Sequence, residues 1–120
     1  CIAVDPWFIV HSAPEQSPLI RTARNVNDGK VNHVIQRATD LIVANPTAKI
    51  GCMGLAFKAN IDDFRESPAM KVAAELAQRF GQRVQIVEPY ASALPKEFDG
   101  TGACLIDIDT ALLECDLLIT

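Results

Sequence analysis

The chain has 120 residues, 49% apolar and 22% charged, which suits one modest globular domain with a single core. A net charge of −4 without any Lys/Arg run argues against a nucleic-acid surface. No stretch approaches the roughly 20 apolar residues that a membrane span needs.

Four cysteines (Cys1, Cys52, Cys104 and Cys115) are far apart and form no CxxC pair, so no metal site is expected. Cys52, Cys104 and Cys115 sit in apolar runs and read as small buried hydrophobes. With no secretory signal in view, the expected compartment is the reducing cytoplasm. The opening CIAVDPWFIV is already strongly apolar, and the closing CDLLIT stops inside an apolar run. The expectation is a piece of a larger protein.

Ser17–Pro18 starts a helix, with Ser as cap and Pro at the first helical position. Leu19, Ile20, Ala23, Val26, Val34, Ile35, Ala38, Leu41 and Ile42 then recur at helical spacing. Asn25, Asn27, Asp28 and Gly29 are poor helix formers. They leave open a bend near Gly29 in an otherwise single helix that runs to about residue 44. Asn45–Pro46 ends it.

A strand over 49–53 follows, then a glycine turn and a loop dense in charge: Lys58, Asp62, Asp63, Arg65 and Glu66. The next helix is capped by Ser67, with Pro68 at its start and Gly81 past its end. Its apolar stripe is Ala69, Val72, Ala73, Leu76, Ala77 and Phe80. A strand over 84–87, a Pro- and Gly-containing connection, a strand over 103–106, a short helix over 110–115 capped by Asp109, and a strand over 117–120 complete the pattern. Strands alternating with helices predict an α/β fold, a Rossmann-like parallel sheet with flanking helices, preceded by a long linker helix.

In such sheets ligands bind at the carboxyl ends of the strands, so the charged loop after the first strand is the place to look for a site. Gly51-x-x-Gly54-x-Ala56 is a degraded dinucleotide fingerprint, because the helix begins well past the glycines. Glu88 ends the next strand, where a ribose-binding acid would stand. Lys58 and Arg65 could hold an anion with backbone amides. Alternatively, they could pair with Asp62, Asp63 and Glu66 as a solvated charge cluster.

GLAFKANIDDFRESPA resembles the signature of the UDP-glucose/GDP-mannose dehydrogenase family, whose C-terminal nucleotide-sugar domain opens with a strand, G-x-A-F-K, an acidic stretch and R-E-S. Cys1-Ile2-Ala3-Val4-Asp5-Pro6 resembles the family's catalytic Cys-x-x-x-Asp segment. Val4, where UDP-glucose and GDP-mannose enzymes usually carry Lys, resembles the branch acting on N-acetylated sugars.

The resemblance implies an NAD-dependent 6-dehydrogenase that oxidises a sugar C6 alcohol to a carboxylate with two NAD⁺ and no metal. UDP-N-acetyl-D-mannosamine is the expected substrate, with UDP-N-acetylglucosamine and UDP-glucose as alternatives. The route runs through a thiohemiacetal and thioester on Cys1. Asp5 orients or activates water, Phe57 and Lys58 bind the nucleotide sugar, and Arg65 reaches towards the NAD pyrophosphate.

Trp7 and Phe8 are expected in the core. Arg21, Arg24, Asn25 and Asn27 are expected on the polar face of the long helix; the resemblance makes that helix an inter-domain spine and homodimer contact, so these residues could lie at an interface or on a solvated face. The resemblance divides the chain into a catalytic Cys segment of the central domain (1–17), a connecting helix (18–45) and a UDP-sugar-binding domain (48–120). The NAD domain and the catalytic Lys and Asn would lie upstream, so the piece alone should be inactive. The competing reading from another class is a non-catalytic nucleotide-binding module, which gives Cys1 no reason to precede Asp5.

Overall fold

Four short strands form one wholly parallel sheet: β1 (Ile50–Met53), β2 (Val84–Val87), β3 (Cys104–Leu105) and β4 (Leu117–Ile119), in the order β3-β2-β1-β4. The computed structural model describes residues 4–58, 60–61 and 63–120. It divides into two compact units, Cys1–His33 and Val34–Thr120. The helices are α1 (Asp5–Ser12), α2 (Pro18–Ala44), α3 (Pro68–Phe80) and α4 (Ile108–Glu114).

The sheet lies in the second unit. Side chains at paired positions of a parallel ladder share a face, so Ile50 with Val84, and Cys52 with Ile86, build one side of the core. All four are buried. The α3 crossover carries the chain from β1 to β2, and α4 carries it back across the sheet from β3 to β4. Right-handed crossovers running in opposite directions put the two helices on opposite faces. The α/β architecture with flanking helices is the expected one.

Helix α3 forms where its local signals place it. Ser67 is extended (φ −72°, ψ 127°) and its hydroxyl accepts from the Met70 amide, with Pro68 in the first turn and Gly81 at φ 60° closing the end. The stripe turns slightly from the expected one: Met70, Val72, Ala73, Ala74, Leu76 and Ala77 are buried, while Ala69 is exposed. In the same unit, the end of α2 contributes Ile35, Ala38 and Ile42 to the core. Arg83 donates to the carbonyls of Ala48 at 3.0 Å and Asn45 at 2.7 Å, satisfying acceptors in the turn between α2 and β1.

The first unit holds α1 and the start of α2. Helix α1 was not foreseen; Pro6 in its first turn is compatible with a helix start. Phe8 is exposed, contrary to the core reading, whereas Val10 is buried. Arg24 also departs from expectation: it is buried and pairs with Asp28 one turn on, rather than lying on a solvated face. Helix α2 is continuous through Gly29, so no break occurs there.

Two further corrections concern the sheet's far side. Helix α4 starts earlier than expected, capped by Asp107, whose carboxylate accepts from the Thr110 amide at 2.8 Å. Cys104 is exposed because β3 is a two-residue edge strand, and Cys115, at the end of α4, is half-buried; among the described cysteines only Cys52 is buried.

Candidate functional site

Because the sheet is parallel, the ends of β1 and β2 open on the same edge, and the loops after them face each other. Gly54 leaves β1 with φ 90°, and its amide donates to the Val87 carbonyl at 2.7 Å. A positive φ at this point is why the turn requires glycine. Gly51 has a different task. It lies within β1, and a side chain there would meet Leu118 Cδ2 at 2.9 Å and Cys115 Sγ at 3.1 Å. The degraded fingerprint is thus two separate needs, a close approach and a turn.

Past the turn, Leu55 is fully buried and anchors the loop, while Phe57 and Lys58 are exposed. The Lys58 ammonium stands 5.4 Å from the centroid of the Phe57 ring. Both residues line a cleft of about 330 Å³ with Gly54, Asn60, Glu88 and Tyr90. The cleft therefore brings together one exposed cation, two exposed aromatic rings and a backbone turn. That set can hold an anionic group beside a flat ring.

Glu88, at the end of β2, is buried and turned onto its own backbone. Its carboxylate accepts from the amides of Leu55 at 2.8 Å, Ala56 at 3.4 Å and Tyr90 at 3.1 Å. The ribose-binding position is thus spent internally. The turn's amides are likewise taken, and α3 begins only at Pro68. The described residues build no dinucleotide cradle at this edge.

Arg65 lies in a different cleft, of about 950 Å³, with Ser67, Met70, Lys71, Pro95 and Glu97. Its guanidinium donates to both oxygens of Asp63, at 2.9 and 2.7 Å. The paired guanidinium holds the Asp63 carboxyl down at about 2, and Asp63 in turn raises Arg65. Lys71 pairs with Glu66 at 3.2 Å. Part of the charged loop is therefore the solvated cluster that the residues also permitted, while Lys58 stands apart in the other cleft.

Asp5 is exposed in the first turn of α1, in the first unit. Cys1 lies outside the described residues, as does Asp62 of the loop. Tyr90 and Asn60 were not singled out from sequence. The signal was an Asn in the loop and an aromatic two residues past the strand-ending acid.

The family profile for the UDP binding domain of the UDP-glucose/GDP-mannose dehydrogenase family matches residues 51–120. The chain belongs to that family, and residues 51–120, within its second unit, are the domain of that description. A Salmonella typhimurium protein named UDP-N-acetyl-D-mannosamine dehydrogenase is 48% identical over 99% of this chain and 30% of its own length. A Ralstonia solanacearum NDP-N-acetyl-D-galactosaminuronic acid dehydrogenase is 44% identical over 99% of the chain and 28% of its own length. A Campylobacter jejuni UDP-N-acetyl-D-mannosamine dehydrogenase is 43% identical over 98% and 29%. The chain thus spans about 30% of the length of the curated relatives it matches. No solved structure matches it.

Proposed function

We propose that the chain is the nucleotide-sugar-binding part of an NAD-dependent 6-dehydrogenase that converts UDP-N-acetyl-D-mannosamine to its uronate, a precursor for polysaccharide synthesis in the cytoplasm. The observation that carries this reading is the cleft at the carboxyl edge of β1 and β2, where Lys58 and Phe57 meet an open turn. A diphosphate would take the Lys58 ammonium as its counter-charge, and the exposed Phe57 ring suits the flat base. The relatives named for UDP-N-acetyl-D-mannosamine favour that sugar over UDP-N-acetylglucosamine or UDP-glucose.

Residues 1–17 belong, in this reading, to the catalytic region, residues 18–45 to a connecting helix and residues 48–120 to the sugar-nucleotide domain. Cys1 is the nucleophile that takes the C6 aldehyde and later releases the acid from a thioester, with Asp5 directing water. NAD supplies hydride acceptance, and in this reading its binding domain lies outside this chain. Arg65 is the residue here that would reach towards it, after leaving Asp63. The exposed Leu19, Val26, Val34 and Leu41 fall on one side of α2 and suit a homodimer contact along that helix.

The test is NAD⁺ reduction by a full-length protein carrying this chain, with UDP-N-acetyl-D-mannosamine, UDP-N-acetylglucosamine and UDP-glucose as substrates. The first should give the highest kcat/KM, and Cys1→Ser should stop uronate formation. Wild-type acid production by Cys1→Ser would overturn the nucleophile. Absence of turnover with all three would favour a non-catalytic nucleotide-binding module.

A further inference from the structure

The loop carrying Phe57 and Lys58 is tied to the segment after β2 at two points. The first tie is Glu88, only 6% exposed, whose carboxylate gathers the amides of Leu55, Ala56 and Tyr90. In a dinucleotide turn such amides would face a phosphate. Here an internal carboxylate fills that role and fastens the start of the loop to the end of β2. The second tie lies on the far side of Lys58. The Tyr90 hydroxyl donates to Asn60 Oδ1 at 2.7 Å, and Asn60 has φ 62°, a left-handed conformation that asparagine tolerates better than most residues. One tripeptide, Glu88 to Tyr90, therefore grips the loop on both sides of Lys58, the one cation lining the cleft among the described residues.

We propose that Glu88 and Tyr90 are positioning residues for nucleotide binding. They hold the Phe57–Lys58 arm so that the ammonium already stands in the cleft when the diphosphate arrives. Lysine has a long flexible stem, and ordering it on binding costs affinity. A loop tied at both ends leaves less to order. The same arrangement spends the turn's amides, so this edge recognises its anion through Lys58 rather than through a glycine-rich backbone. The proposal rests on the nucleotide-sugar reading of the cleft.

The experiment is calorimetric titration of UDP into the 120-residue chain as wild type, Tyr90→Phe, Lys58→Ala and the double variant. Tyr90→Phe removes one hydroxyl at an exposed position and should leave the melting temperature unchanged. It should weaken UDP binding by about three- to tenfold. If Tyr90 acts through Lys58, adding Tyr90→Phe to Lys58→Ala should cost almost nothing more. Additive losses would mean that Tyr90 touches the nucleotide itself, and would overturn the positioning role. So would unchanged affinity in Tyr90→Phe. Glu88→Gln should weaken UDP in the same way, provided its amide exchange shows an intact sheet; full affinity in that folded variant would equally overturn the proposal. Failure of the wild-type chain to bind UDP would overturn the functional reading, and the proposal with it.

Discussion

Replacing Gly51 by Ala tests how the sheet is assembled beneath the site. The added methyl would lie 2.9 Å from Leu118 Cδ2 and 3.1 Å from Cys115 Sγ, well inside ordinary contact distance. Leu118 is 43% exposed and can swing outward, at a rotamer cost of about 0.5–1.5 kcal/mol. Cys115 is less free, because its thiol donates to Gln85 Oε1 at 3.2 Å across the β1 backbone. Turning it away leaves the buried Gln85 amide short of a partner, at about 1–3 kcal/mol. Against this, removing a glycine from a strand returns about 0.5–1 kcal/mol. The net expectation is a loss of about 1–3 kcal/mol, in the range of overpacked cores. Urea unfolding followed by circular dichroism would measure it in the wild-type and Cys115→Ala backgrounds. In the second background the hydrogen bond is already gone, so the loss should shrink by at least half. A neutral Gly51→Ala, or the same cost in both backgrounds, would refute this packing argument.

Lys58→Ala should weaken UDP binding by about ten- to a hundredfold, the loss of one charge-assisted contact, whereas Arg65→Ala should change it by less than about twofold; isothermal titration of both variants separates them, and equal effects would refute the division of the loop. Burial pushes the Cys52 thiol up to about 12 from 9.0, so it should resist alkylation at pH 8 in the folded chain while Cys104 reacts. The unfolded chain releases that proton first, so the Cys52 contribution to stability is intact below pH 9 and is lost as pH rises towards 12. Wild type should thus lose stability relative to Cys52→Ala over that window, measured by urea midpoints at each pH. Val26→Glu or Leu41→Glu should shift a full-length dimer towards monomer in sedimentation if α2 forms the contact, and unchanged sedimentation in both would remove α2 from it.

Much of this architecture is local chemistry and therefore readable from sequence. Ser67, Pro68 and Gly81 mark α3 because caps and the left-handed end are decided by a few neighbouring residues. The limits of α4 were less legible, since Asp107 and Asp109 could each cap a helix and only the backbone path chooses Asp107. Burial on the sheet was harder still. Cys104 sits in an apolar run, yet β3 is an edge strand of two residues and leaves it exposed.

Gly51 illustrates the same limit at the site. Its reason for being glycine is a contact with Cys115 and Leu118, more than sixty positions on, which no local pattern reports. Glu88 was recognisable as the acid at the end of a strand. Its partners, three backbone amides, depend on where the β1 turn comes to rest. The cleft containing Phe57 and Lys58 was foreseen as a place on the sheet edge. The pairing of Arg65 with Asp63 was one of the two options that the charged residues of the loop left open.

The central claim is that this chain binds a uridine diphosphate sugar at the carboxyl edge of β1 and β2. Titrating UDP into the isotopically labelled chain and following its amide resonances tests that directly. The account predicts saturable shifts at Phe57, Lys58, Asn60 and Tyr90, with the amides of Lys49 and Asp116 at the opposite edge of the sheet unmoved. No saturable shift, or shifts centred on that opposite edge, would contradict it.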